Sequence, residues 1–380
     1  MRKILYISGT RADYGLMRHT LFAIYNHPNL ALEIAATGMH LMPEFGETID
    51  EIRDDTFPLH EIPAMFSGDD KESMSRFIGE FIATLTDRIK KIKPNMLLLQ
   101  GDRVEMLGGA IVGAYLGIPV AHSHGGDVSS TVDETVRHAI TKLSHIHFAA
   151  TKNSAKRIIK MGEDPWRVFV IGAPGLDSIL QEPLIPQKEM AARYSLDISK
   201  PILLVIQHPV SEETKEAPEQ MRKTMEAIQE LGYQSIVVYP NADAGGRGMI
   251  EVIETYRNYP FIKMYKNIPH KEYVSLMRIA SVMIGNSSSG IIEAPSFHLP
   301  VVNIGTRQER RERAGNTIEV GYDKKEIKRA VQKALLDRSF IQKVKKSKSP
   351  YGDGTAAKKI ADVLSKIPLD AQLLKKQITY

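Results

Sequence analysis

Acids, imidazoles and hydroxyls capable of proton transfer follow short apolar runs in this chain. Asp102 comes two residues after Met96–Gln100, and His124 and Asp127 come just after the run 119–123. Asp133 lies six residues further on. Carboxylates around one pocket are what moving protons on opposite faces of a sugar ring requires. Thr131 and Glu134 also make a capping box ahead of Val136, Ile140 and Leu143. Asp133 is therefore equally explained as part of a helix start, where it can pair with Arg137. His122 and His124 would share one face of a strand, a metal-ligand spacing. His208 and His270 supply no third-ligand motif, so the expected metal is none.

The segment Gly285-Asn286-Ser287-Ser288-Ser289-Gly290 follows an apolar run and precedes a helical stretch. Free N–H groups, hydroxyls and a helix dipole make an anion cradle suited to a diphosphate. A single serine there would simply cap the helix. No Gly-Lys-Ser/Thr follows, and no Gly-x-Gly-x-x-Gly follows the first run, which argues against P-loop hydrolysis and NAD chemistry. Glu293 can accept both hydroxyls of a ribose or place a favourable charge in the helix's first turn. His208, Asn241 and Arg307 each follow a second-half apolar run as candidate nucleotide contacts, and Arg307 offers a phosphate fork.

The elements that must position these groups read as α/β. Apolar runs at 4–8, 32–37, 96–100, 119–123, 146–150 and 168–171 resume at 202–207, 235–239, 262–265, 282–284 and 301–304. Nearly continuous hydrophobicity between helical stretches predicts parallel sheets covered on both faces. The expected partition is a domain over 1–180, a Pro-bearing linker at 181–200, a domain over 201–355 and a helical tail at 356–380. The chain has 380 residues, with Lys+Arg 50 against Asp+Glu 45 for a net +5, and no segment concentrates charge as a nucleic-acid site would. Cysteine is absent, which removes disulfides, thiolate metal sites and thiol nucleophiles. The N-terminus lacks the apolar core of a signal peptide and no run spans a membrane, so a cytoplasmic chain is expected.

Taken in order, the motifs resemble a known family. They are Gly9-Thr10-Arg11-Ala12-Asp13-Tyr14-Gly15, Gly101-Asp102-Arg103, His124-Gly125-Gly126-Asp127 and Asp133 with Arg137-His138-Ala139-Ile140-Thr141-Lys142. Gln207-His208-Pro209, the 285–290 loop and Gly305-Thr306-Arg307-Gln308 complete the series. The chain resembles the hydrolysing UDP-N-acetylglucosamine 2-epimerases of bacterial sialic-acid synthesis and the epimerase half of the animal epimerase/kinase. The resemblance runs to about residue 354. It implies a glycosyltransferase-B-like fold of two Rossmann-like domains, with the active site in the interdomain cleft and UDP mainly on the second.

The implied reaction converts UDP-N-acetylglucosamine and water to N-acetylmannosamine and UDP, without a cofactor, in a homodimer or homotetramer. By resemblance, Asp102 and Asp133 match catalytic acids. Arg11, Arg103, His208, Ser287, Ser288, Glu293 and Arg307 match nucleotide positions, with Ser289 and Gly290 in the same loop. Ile268-Pro269-His270 falls where uracil is cradled. Some members carry Glu-Gly-Gly-Glu where this chain has His124 first and Asp127 last, so both are candidates for the third proton transfer. The alternatives are a hydrolysing epimerase of a UDP-diacetamido-trideoxyhexose, a non-hydrolysing UDP-N-acetylglucosamine 2-epimerase, a glycosyltransferase of the same fold and a nucleotide-sugar-binding protein.

Overall fold

The structure, a computed structural model, describes residues 1–42, 48–64, 71–128, 132–210, 213–240 and 245–380, with backbone only at Lys71, Val132 and Asp133. The chain divides into two compact units, Met1–Gln181 with Pro350–Tyr380, and Glu182–Ser349.

The first unit is built on a seven-stranded parallel sheet. Its strands are β1 (Arg2–Ser8), β2 (Leu30–Ala36), β3 (Leu59–Glu61), β4 (Met96–Gln100), β5 (Val120–Ser123), β6 (Ile146–Ala149) and β7 (Val168–Val170). They lie in the order β3-β2-β1-β4-β5-β6-β7. Helices cover both faces. Ile4 and Tyr6 of β1 pack with Tyr14, Met17 and Leu21 of the helix Arg11–Tyr25 and with Ile360 and Leu364 of the helix Ala356–Lys366. Leu5 and Ile7 point the other way, onto Phe77, Phe81 and Met106. Coverage on both sides is why β4 reads Met-Leu-Leu-Leu-Gln and is buried throughout.

The second unit repeats the plan with β8 (Ile202–Ile206), β9 (Gln234–Val238), β10 (Ile262–Tyr265), β11 (Val282–Gly285), β12 (Val301–Ile304) and β13 (Thr317–Val320). Its six strands run β10-β9-β8-β11-β12-β13, again all parallel. In each sheet the order reverses once, between β1 and β4 and between β8 and β11. Ligands of open α/β sheets bind beyond the carboxyl ends of the strands at such a switch point.

The partition differs from the expected one at both ends of the second unit. Residues 181–200 include the helix Gln187–Arg193, after which Arg193 and Tyr194 bond Glu272 at 2.7 and 2.6 Å. The expected tail instead returns to the first unit. The buried carboxylate of Asp177 accepts from the N–H groups of Ala356 and Ala357 at 3.1 and 2.7 Å, satisfying the first turn of the returning helix. No helix among the described residues is long and apolar enough to cross a membrane.

Candidate active site

In the first unit, the loop after β1 enters the helix Arg11–Tyr25 through a capping box of Thr10 and Asp13. Asp13 is buried and accepts from Gly9 N, Thr10 N and Thr10 Oγ1 at 3.0, 2.8 and 3.0 Å. Burial raises its pKa against those bonds. Arg11, first in the helix, is exposed and pairs with Glu51 at 2.7 Å. Across the switch point, Arg103 holds the wholly buried Glu105 with two nitrogens at 3.2 and 3.0 Å. Glu105 fits because Gly9 faces it, since a Cβ there would lie 2.5 Å from its carboxyl carbon.

Asp102 follows Gly101, whose φ is +80°. Its Oδ2 accepts from Nη2 of Arg137, which reaches over from the helix Val132–Leu143. Asp102 Oδ1 takes no hydrogen bond from a described residue. Asp133 begins the same helix, but its side chain and Thr131 lie outside the described residues.

The loop after β5 settles how His124 and Asp127 relate. His124 adopts φ +63°, uncommon for a residue with a Cβ and of a kind that clusters at functional sites. Its Nδ1 lies 2.9 Å from Asp127 Oδ2, while Asp127 Oδ1 accepts from Ser154 Oγ at 2.6 Å. Asp127 thus orients the imidazole through Nδ1, and Nε2 makes no hydrogen bond to a described residue. His122 is different. Its Nε2 donates to the Gly101 carbonyl at 2.7 Å and its Nδ1 accepts from Thr141 Oγ1 at 3.2 Å. Burial pushes its pKa down to about 3, so it is a neutral structural histidine with both nitrogens occupied.

In the second unit the loops after β8, β11 and β12 meet at Asn286, a residue the sequence reading passed over as part of the serine loop. Its Oδ1 accepts from His208 N at 2.7 Å and its Nδ2 donates to His208 O at 2.9 Å. Its carbonyl accepts from Arg307 Nη1 at 3.2 Å and Gln308 Nε2 at 3.0 Å. Gly285 lets these loops approach, because at φ +125° a Cβ would sit 2.0 Å from the Ile206 carbonyl oxygen.

The three serines divide their work. Ser287 caps the short helix Ser288–Ile292. Ser289 is buried between Ser287 Oγ, 2.9 Å away, and Tyr273 Oη. Ser288 makes no side-chain bond to a described residue, and Gly290 packs on Val301. Capping therefore explains Ser287, whereas Ser288, partly exposed, is not used by the cap. Glu293 ends that helix, and burial pushes its carboxyl pKa up to about 7. It receives no side-chain hydrogen bond from a described residue. His270 opens the helix His270–Ile279, exposed, after Pro269. Asn241 lies outside the described residues.

The chain is similar along its whole length to known proteins. A UDP-N,N'-diacetylbacillosamine 2-epimerase (hydrolyzing) of Legionella pneumophila is 42% identical over 383 residues, covering 100% of both chains. A UDP-N-acetylglucosamine 2-epimerase of Neisseria meningitidis is 35% identical and covers 88% of each. A crystal structure of UDP-GlcNAc 2-epimerase from Neisseria meningitidis bound to UDP-GlcNAc superposes with a TM-score of 0.80 at 20% identity, covering 96% of this chain and 100% of that one, and shares the fold. The sequence pattern described as UDP-N-acetylglucosamine 2-epimerase matches residues 23–365, and on this evidence together the chain belongs to that family.

Proposed function

We propose that the chain is a hydrolysing 2-epimerase of a UDP-linked 2-acetamido sugar, releasing UDP and the free sugar inverted at C2. The observation that carries this is the pairing of two proton-transfer groups at adjacent strand ends. Gln100 is in register with Ser123, so Asp102 and His124 follow neighbouring strands. A sugar C2–H is not acidic. Breaking the C1–O bond to UDP draws positive charge to C1, and the C2–H pair then becomes the C1=C2 bond of a glucal as a base takes the proton. Water adds to C1, losing a proton, and a proton returns to C2 on the other face.

In this reading His124 Nε2 takes up one of these protons, with Asp127 fixing the Nδ1–H tautomer and stabilising the imidazolium, as the carboxylate does in a Ser-His-Asp triad. Asp102 and Asp133 serve the remaining transfers. On the second unit, Arg307 and His208 supply positive charge and Ser287 and Ser288 supply hydroxyl donors to the departing diphosphate, with Arg11 and Arg103 of the first unit as the remaining candidate anion contacts. Glu293 receives the ribose hydroxyls, and His270 lies against uracil.

For the sugar we favour UDP-N,N'-diacetylbacillosamine, because the relative matched over its whole length at 42% bears that name. UDP-N-acetylglucosamine is the second reading, supported by the 35% identical Neisseria relative. Proton NMR in D₂O with each nucleotide sugar, with and without EDTA, tests both. Free C2-inverted, C2-deuterated sugar plus UDP is expected, faster from the diacetamido substrate. Accumulation of an inverted UDP-sugar would instead identify a non-hydrolysing enzyme.

A further inference from the structure

The last turn of the helix Val132–Leu143 is capped by a side chain from the end of the chain. Lys376 Nζ donates to the carbonyl oxygens of Thr141, Lys142 and Ser144 at 3.1, 2.6 and 2.6 Å. It also lies 2.8 Å from Glu163 Oε2. The Lys142 carbonyl is among those a helix end leaves without intrahelical partners, the Thr141 carbonyl otherwise takes only the N–H of Ser144 at 3.1 Å, and a cation there meets the negative end of the dipole. Glu163 is wholly buried and is shared with Lys142 Nζ at 2.6 Å and His147 Nε2 at 3.0 Å. Although burial opposes it, hydrogen bonds from His147, Lys142 and Lys376 hold its pKa down at about 2.

A second buried cation fixes the same segment. Arg167, 1% exposed, donates to the carbonyls of Gln372, Leu373 and Lys375 at 2.8, 2.7 and 3.1 Å, and to that of His145 at 3.2 Å. Asp370 caps the turn Ala371–Leu374 that precedes Lys376. Burying an ammonium is costly and pushes Lys376 down to about 8. A tail without a task at this place would leave its lysine in water.

The clamped helix carries Arg137 one turn before Thr141, and Arg137 holds Asp102. Its first turn carries Asp133. We infer that Lys376 is a positioning residue, by which the C-terminal segment sets the helix Val132–Leu143 and with it the Arg137–Asp102 pair. The catalytic half of this inference rests on the function proposed above, whereas the structural half does not.

The test compares full-length Lys376→Met and Lys376→Arg with the natural protein by amide hydrogen exchange and by steady-state turnover. In Lys376→Met, exchange should quicken along 132–143, and kcat should fall about tenfold or more, as misplacement remote from the chemistry does. KM and UDP affinity should hold. Lys376→Arg, which keeps the donors and the charge, should restore both readouts. Lys376→Gln, which keeps two N–H donors but no charge, replaces the methionine variant if that does not fold and should fall between.

Unchanged protection over 132–143, or a natural kcat in Lys376→Met, overturns the inference. If the natural protein turns over neither nucleotide sugar, the functional proposal fails by itself, and the exchange experiment still decides whether the clamp sets the helix.

Discussion

Arg137 and Asp102 stand 35 residues apart in the chain, yet one nitrogen of the Arg137 guanidinium closes on the Asp102 carboxylate. The other terminal nitrogen donates to the main-chain oxygen of Asp127 at 3.0 Å. A single cation therefore fixes the loop after β4 and the loop after β5, the two that carry the candidate proton-transfer groups. Charge-assisted bonds of this kind are among the stronger ones in proteins, and here the guanidinium is buried while the Asp102 carboxylate is 27% exposed.

Replacing Arg137 with methionine should lower kcat by about 10²-fold, because Asp102 loses its orientation. Stability should drop by about 1 kcal/mol as the partly exposed carboxylate loses its donor. UDP affinity, measured by calorimetry, should not change, since the proposed nucleotide contacts on the second unit are untouched.

Asp127→Asn tests the histidine arrangement. An amide donating its N–H to Nδ1 would move the ring proton to Nε2 and present the wrong tautomer, so kcat should fall by about 10²–10⁴-fold with KM little altered. Ser154→Ala, which removes only the hydroxyl bonding Asp127 Oδ1, should cost far less. Equal effects on kcat and KM in Asp127→Asn would mean that the loop merely collapsed.

Glu293 makes a pH-dependent prediction. Its carboxyl titrates near 7 in the folded protein, above the ordinary 4.5. The folded state therefore holds this proton more tightly than the unfolded state does. Its contribution to stability is greatest below the unfolded pKa, declines as pH climbs to about 7, and stays at the lower level beyond. Glu293→Gln should accordingly raise the second unit's Tm at pH 8 by about 2–4 °C, with no gain at pH 4. The same variant should bind UDP about tenfold more weakly, a loss of ~1.4 kcal/mol, and should abolish the rise in UDP affinity expected through pH 7 as the carboxylate forms.

Asn286→Ala removes both side-chain bonds to the His208 backbone and should destabilise the second unit by about 2 kcal/mol. Because His208 and Arg307 are proposed phosphate contacts, UDP binding should weaken more than uridine binding in titration calorimetry. Equal weakening of both ligands would take Asn286 out of the phosphate site.

Much of this was legible in the residues alone. The central strands β4 and β8 are covered on both faces, so they appear as unbroken apolar runs. The polar residues directly after such runs, Asp102, His124, His208 and Ser288 among them, lie beyond the carboxyl ends of the strands, where open α/β sheets bind ligands. The strands missed were β3 and β13, short edge strands with residues only partly buried, whose sequence lacks the pattern that coverage imposes.

Only the tertiary structure decided which loops share a switch point, because strand order is not written in the apolar period. It also gave Asp127 to His124, made His122 structural, and set Asn286 between three loops. The return of residues 350–380 to the first unit, and the bond from Lys376 to Thr141 across 235 residues, belong to the same class. Periodicity and turn chemistry are local, so a single segment displays them. Partnerships between distant residues exist only after the sheet has ordered its strands and water has been excluded from between them.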